Sequence, residues 1–248
     1  MTPLSSIERC RQEFLPLHRD RVDVWILPIE REESEFQILK SFLSNDERER
    51  SVRFSTPLLQ RHDVIARGKL RLLLGNYLET KPDEIEILSG KMGKPYVKLN
   101  HKKDIFFNLS HSKGRLIYAF GNVSELGVDI EFQSETTEID EVAKRCFTAN
   151  ELSVYSLMTS EEKRKVFFRG WTRKESLLKA AGVGLTISMM EIEVNLATLN
   201  FSEWQKVQLQ WEVQKTWHVR DLEVKGPYCA ALASKNAIPN VRMFDFTT

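Results

Sequence analysis

Gly127-Val128-Asp129-Ile130-Glu131-Phe132 alternates apolar residues with acids. Successive strand residues point to opposite faces, so this pattern predicts a strand, Leu126 to Phe132, with both carboxylates on one side. Helical signal follows from Ile139 to Phe147, and Thr148-Ala149-Asn150-Glu151 has the form of a capping box. A long helix is then expected from about Ser160 to Ala181, stopped by Gly182-Val183-Gly184.

Working outward, the first half of the chain has the same order. Val22 to Leu27 reads as a buried strand and Ser34 to Leu43 as a helix. Ser44-Asn45-Asp46-Glu47 reads as a helix start. Arg61 to Tyr77 carries apolar residues at helical spacing. Trp25 and Asp129, Ser44 and Thr148, and Arg71 and Glu175 share one offset of 104 residues. This points to a diverged internal duplication. The expected fold is α+β, with two similar lobes related by a pseudo-two-fold axis, each a mostly antiparallel sheet packed with a long helix. The expected division is 1–123 and 124–248, with a ligand cleft at the interface. Further strands are expected at Ile85–Leu88, Phe106–Leu109, Leu116–Phe120, Met190–Val194, Val207–Val213, Trp217–Leu222 and Tyr228–Ala233.

Composition narrows the setting. With 248 residues, 42% of them hydrophobic, the chain can build one large core or two smaller ones. The 36 Lys and Arg against 35 Asp and Glu call for neither nucleic acid nor an anionic membrane as partner. Cys10, Cys146 and Cys229 are odd in number and widely spaced, which argues against a disulfide framework and fits a reducing cytoplasm. No signal-peptide pattern or apolar run long enough to span a membrane is found, so a soluble cytoplasmic protein is expected.

The chemistry concentrates in four motifs. Asp129 and Glu131, completed by Glu175 from the long helix, form an oxygen set suited to Mg²⁺. Taken alone, an Asp-x-Glu is more often a solvent-facing strand pattern than a metal site. Trp171-x-x-Lys174-Glu175-x-x-x-Lys179 places Glu175 and Lys179 on one helix face, as an ordinary ion pair or as a metal ligand beside a phosphate-binding ammonium. Phe107-Asn108-Leu109-Ser110-His111-Ser112 reads as a strand end with hydroxyl and imidazole donors for phosphate, and lacks a nucleophile elbow. Gly90-Lys91-Met92-Gly93-Lys94-Pro95 reads as a turn with two lysines, without Walker A spacing.

In this order the motifs resemble the 4′-phosphopantetheinyl transferase superfamily, in its larger two-lobed class typified by the surfactin synthetase activator. The resemblance runs from about Ser44 to Leu185. It implies transfer of 4′-phosphopantetheine from coenzyme A to a serine of an apo acyl, peptidyl or aryl carrier protein, with release of 3′,5′-ADP. It implies Mg²⁺, with Mn²⁺ as the alternative, on Asp129, Glu131 and Glu175. Its coenzyme A contacts fall on Arg50, Lys91, Gly93, Lys94, Pro95, Asn108, Ser110, His111, Lys174 and Lys179. Glu175 is the candidate base for the carrier serine, and Lys179 adds fixed positive charge at the reacting phosphate. Since one chain supplies both lobes, a monomer is expected. Carriers of fatty-acid, polyketide, nonribosomal-peptide and glycolipid synthesis all remain open as partners. The competing readings are a metal-dependent phosphohydrolase or nuclease, and a non-catalytic module that binds coenzyme A or a carrier protein.

Overall fold

The computed structural model describes residues 17, 20–29, 33–90, 92–98, 105–122, 125–197, 201, 203–212, 215–238 and 240–247. Its architecture is α+β. In chain order the main elements begin with β1 (Arg21–Pro28), α1 (Glu33–Ser41), α2 (Asn45–Ser51) and α3 (Pro57–Leu78). The hairpin β2 (Ile87–Ser89) and β3 (Pro95–Val97) follows, then β4 (Phe106–Ser112) and β5 (Arg115–Gly121). The second half contains β6 (Gly127–Phe132), α4 (Ile139–Cys146), α5 (Ala149–Ser156) and α6 (Ser160–Ala181). It closes with β7 (Gln205–Gln208), β8 (Thr216–Leu222), β9 (Tyr228–Ser234) and β10 (Asn240–Asp245). No helix of the described residues is long and apolar enough to cross a membrane.

Two four-stranded sheets form, in the orders β10-β1-β5-β4 and β6-β9-β8-β7. Every pairing is antiparallel except β1 with β10. Period-two alternation explains how the sheets stack. Val22, Val24 and Ile26 of β1 meet Val128 and Ile130 of β6 in a core shared by the two sheets. The intervening Trp25 and Leu27 face the opposite way, into a core with Ile65, Leu72 and Leu73 of α3. On the second sheet, Ala231 and Ala233 of β9 pack with Phe167, Leu177 and Leu178 of α6. The layers therefore run helix, sheet, sheet, helix, and the acids of β6 lie on the side away from the shared core.

Both long helices start where capping chemistry directs. Thr56 caps α3 ahead of Pro57, and Thr159 with Glu162 forms a capping box on α6. The box expected at Thr148–Glu151 is closed by reciprocal bonds, and the helix start expected at Ser44–Glu47 is a capping box as well. α6 ends at Gly182 in the left-handed region, φ 70°, as a glycine stop requires.

Three expectations are corrected. Met190–Val194 is not a strand. Ser188 caps a 3₁₀ turn, Met189–Glu191, and only Ile192 makes an isolated bridge to Leu209. The strand expected to continue to Val213 stops at Gln208, and Gln210–Glu212 turns as a 3₁₀ helix; Val213 lies outside the described residues. β10, absent from the sequence reading, pairs with β1 of the other half of the chain. It is held there by Arg242 on the buried Asp23 and by Phe244 stacked 4.1 Å from Trp25.

Candidate active site

β4 and β6 are edge strands of different sheets, and side chains bridge them. Asn108 Oδ1 accepts from the Val128 backbone N–H at 2.9 Å. Ser110 Oγ donates to Asp129 Oδ1 at 2.7 Å, and Ser112 Oγ donates to Glu131 Oε2 at 2.7 Å. Ser112 also accepts from Phe132 N–H. Asn108, Ser110 and Ser112 share a strand face because β4 continues through Ser112. The acids therefore arrive at the junction held by the opposite sheet.

α6 supplies the remaining groups. Lys179 Nζ donates to Asp129 Oδ1 at 2.6 Å and to Ser110 Oγ at 2.8 Å. Glu175 lies one turn earlier on the same face. Its carboxyl is held above the ordinary carboxylate range by burial and by the Asp129 charge, with Lys179 opposing. Burial pushes Glu131 up to about 7, reinforced by Asp129 and Glu175 and opposed by the Ser112 bond and Lys179. Close approach of α6 to β6 depends on Gly127. A methyl there would sit 2.1 Å from Ser176 O and 2.4 Å from Ala180 N, both helix backbone.

Among the described residues, no three His, Cys, Asp or Glu side chains form a ready-made metal cage. The donor chemistry nevertheless fits a hard divalent cation. Asp129 Oδ2 is buried without a hydrogen-bond partner, and the carboxyls of Glu131 and Glu175 are raised partly by neighbouring acids. An oxygen-binding cation would satisfy that orphaned atom and relieve the repulsion.

From this cluster a cleft of about 560 Å³ opens, lined by residues of the first half of the chain and by Lys179 of α6. Gly93, Pro95, Ser110, His111 and Lys179 line one part, and Ser44, Glu47, Arg50 and Arg67 line another. Arg50 sits at the mouth, with half its side chain exposed and Asp63 at 3.6 Å. The surrounding protein and the Lys179 ammonium hold His111 below its usual range. Neutral imidazole can then donate or accept a hydrogen bond in the cleft.

The expected site residues thus divide. Asp129, Glu131, Glu175, Lys179, Ser110 and His111 come together, with Asn108 behind them as a strand-to-strand bridge. Gly93 and Pro95 border the cleft and Arg50 guards its mouth. Lys91 lies outside the described residues. Lys174, expected to contact coenzyme A, is corrected: it is fully buried. Its ammonium donates to Glu151, to Cys146 O at 2.7 Å and to Met189 O at 3.1 Å. The position next to Glu175 rotates it about 100° round the helix, into the core. Lys94 does not line this cleft; its Nζ is bonded to Leu126 O and Ala180 O. Ser112 and Arg67 were missed. Ser112 continues the period-two series of Asn108 and Ser110. Arg67, bonded to Asp63 and paired with Glu47, stands four residues after Asp63 on the predicted helix.

Comparison with known proteins converges on one family. A family model described as the 4′-phosphopantetheinyl transferase superfamily matches residues 125–233, and one described as 4′-phosphopantetheinyl transferase, N-terminal, matches residues 30–122. The chain is 36% identical over 183 residues to the 4′-phosphopantetheinyl transferase HetI of Nostoc sp., covering 73% of this chain and 77% of that protein. It is 29% identical over 170 residues to the 4′-phosphopantetheinyl transferase Sfp of Bacillus subtilis, covering 68% and 72%. With these matches spanning both halves of the chain, the chain belongs to the 4′-phosphopantetheinyl transferase superfamily.

Proposed function

We infer that the cleft takes coenzyme A and that the chain transfers its 4′-phosphopantetheine group to a serine of an apo carrier protein, giving the holo carrier protein and 3′,5′-ADP. The observation that carries this reading is the Lys179–Ser110–Asp129 arrangement beside two carboxyls of raised pKa, at the end of a polar cleft lined by Gly93, Pro95, Arg50 and Arg67. Asp129, Glu131 and Glu175 are the proposed metal ligands, and Mg²⁺ held there would supply charge neutralisation for the pyrophosphate. Lys179 and Ser110 are positioned to donate to phosphate oxygens, and His111 to hold a further phosphate of the donor. Glu175 is the proposed base. As the serine oxygen forms its bond to the β-phosphorus, its proton passes to Glu175 and the bond to 3′,5′-ADP breaks. Such chemistry consists mainly of positioning and charge stabilisation.

The proposed architecture behind the cleft is a duplicated pair of lobes, 1–123 and 124–248, related by a pseudo-two-fold axis and working as a monomer. Matched capping boxes support it, each followed by a 22-residue helix. The box glutamate binds a cation of that helix in both halves, Glu47 with Arg71 and Glu151 with Lys174. β10 is the departure, since it leaves the second lobe for the sheet of the first. A reducing, cytoplasmic setting is proposed with it. Candidate partners are carrier proteins or domains of fatty-acid, polyketide, nonribosomal-peptide or glycolipid synthases.

The test is intact-protein mass spectrometry of apo acyl and peptidyl carriers incubated with the protein, coenzyme A and Mg²⁺, with and without chelator. A metal-dependent gain of one phosphopantetheine on the carrier serine is expected. No gain on any carrier, with coenzyme A still bound, would overturn the reading in favour of a binding module.

A further inference from the structure

The 92–97 segment enters a two-stranded sheet, β2 with β3, that among the described residues joins neither larger sheet. A lone hairpin is marginal in water and needs an anchor. Val97 and Ile87 bury part of it in the first helix–sheet core, and Lys94 supplies a different kind of attachment. Gly93 and Pro95 face the cleft with Ser110, His111 and Lys179. Lys94 between them points the other way, along a mostly apolar cavity of about 330 Å³ behind the turn. Its Nζ donates to Leu126 O at 2.9 Å and Ala180 O at 3.1 Å.

One acceptor adjoins and the other belongs to an element that carries the acids. Leu126 leads into β6, three residues before Asp129. Ala180 O is among the last carbonyls of α6, immediately after Lys179, and such carbonyls have no partner within the helix. An ammonium at a helix C-terminus also meets the negative end of the macrodipole. One side chain therefore ties the turn bordering the cleft to the strand bearing Asp129 and the helix bearing Glu175 and Lys179. Burial brings the Lys94 amine down to about 8, with Glu125 opposing, as expected of an amine committed to protein carbonyls away from bulk water.

We propose that Lys94 is a positioning residue that latches the Gly93–Pro95 turn to the acid-bearing strand and helix, and is not a ligand for the phosphates of coenzyme A. The proposal rests on the transferase reading for its kinetic consequence, while the latch itself is testable without activity. The variants are Lys94→Met, which removes both donated bonds, and Lys94→Gln, which keeps an amide donor and drops the charge.

Hydrogen exchange of the metal-free protein is the first measurement. In Lys94→Met, amides of residues 92–97 and of the last turn of α6 should exchange about tenfold faster or more, with β8 and β9 unchanged. In Lys94→Gln much of this protection should return. Kinetically, Lys94→Met should lower kcat at saturating coenzyme A by about tenfold or more, with partial recovery in Lys94→Gln. A phosphate ligand would behave differently: both variants would weaken coenzyme A binding equally, reduce its salt dependence, and leave exchange of the turn unchanged. That result would overturn the proposal. If Lys94→Met does not fold, Lys94→Gln decides by the same two readouts. Failure of wild-type carrier modification would overturn the transferase reading and leave the exchange result standing.

Discussion

Ser110 Oγ donates to Asp129 Oδ1 at 2.7 Å, a side-chain bond between the edge strands of two different sheets. Lys179 Nζ reaches both atoms from α6. Three elements distant in sequence are locked at one carboxylate oxygen, while the other oxygen of Asp129 is buried without a partner. One half of Asp129 is thus fixed by protein partners and the other half has none, which supports the proposed metal site.

Replacing Glu175 by Gln should separate binding from catalysis. The amide keeps the volume and removes both the proposed base and a proposed metal-binding charge. Carrier modification should fall by about 10²–10⁴-fold, while calorimetry still detects coenzyme A. Retention of near wild-type turnover would remove Glu175 from the chemistry.

Metal binding should be proton-linked. Glu131 is held up to about 7, above its ordinary value of 4.5, so the fold favours its neutral form. In the metal-free protein this group contributes stability below about pH 4.5, and the contribution is lost as pH rises through 7. A metal must displace that proton. Mg²⁺ should therefore bind roughly tenfold more tightly at pH 8 than at pH 6, with proton release at pH 6 and almost none at pH 8.5, as read by calorimetry in buffers of different ionisation enthalpy. Equal affinity and no proton release across this range would contradict the assignment of Glu131.

Lys174→Met should be a stability lesion. Its ammonium and the Glu151 carboxylate are both buried, and Glu151 also accepts from Thr148 N–H and Val194 N–H. Leaving Glu151 without its cation should cost about 3–5 kcal/mol in denaturant unfolding. A variant of unchanged stability but raised KM for coenzyme A would restore Lys174 to the list of substrate contacts.

Gly127→Ala tests the fit of helix on strand. The added methyl would collide with Ser176 O and Ala180 N, so α6 must move from β6. Destabilisation of about 1–3 kcal/mol is expected, together with loss of turnover, since Glu175 and Lys179 move with the helix. Wild-type stability and rate would show that the helix has room the structure does not display.

Local patterning carried much of this protein in its sequence. Apolar-acid alternation at Val128–Phe132 and the boxes at Ser44 and Thr148 depend on residues within one strand or turn, and period two and capping geometry are local physics. The limits of α6 were legible for the same reason: Thr159 opens it and Gly182 closes it. β10 was not legible, because its place beside β1 rests on Asp23 and Trp25, more than two hundred residues away in the chain.

The sequence by itself determined that acids, lysines and hydroxyls would be presented on particular strand and helix faces, and in an order that marks the family. Only the tertiary structure decided what each charge meets. Lys179, Lys174 and Lys94 look alike as lysines near a cleft. One emerges beside Asp129, one is sealed against Glu151, and one is turned onto the carbonyls of Leu126 and Ala180. A buried ammonium must find oxygen partners wherever packing places it. Its role is therefore set by neighbours brought from distant parts of the chain, which no local pattern specifies.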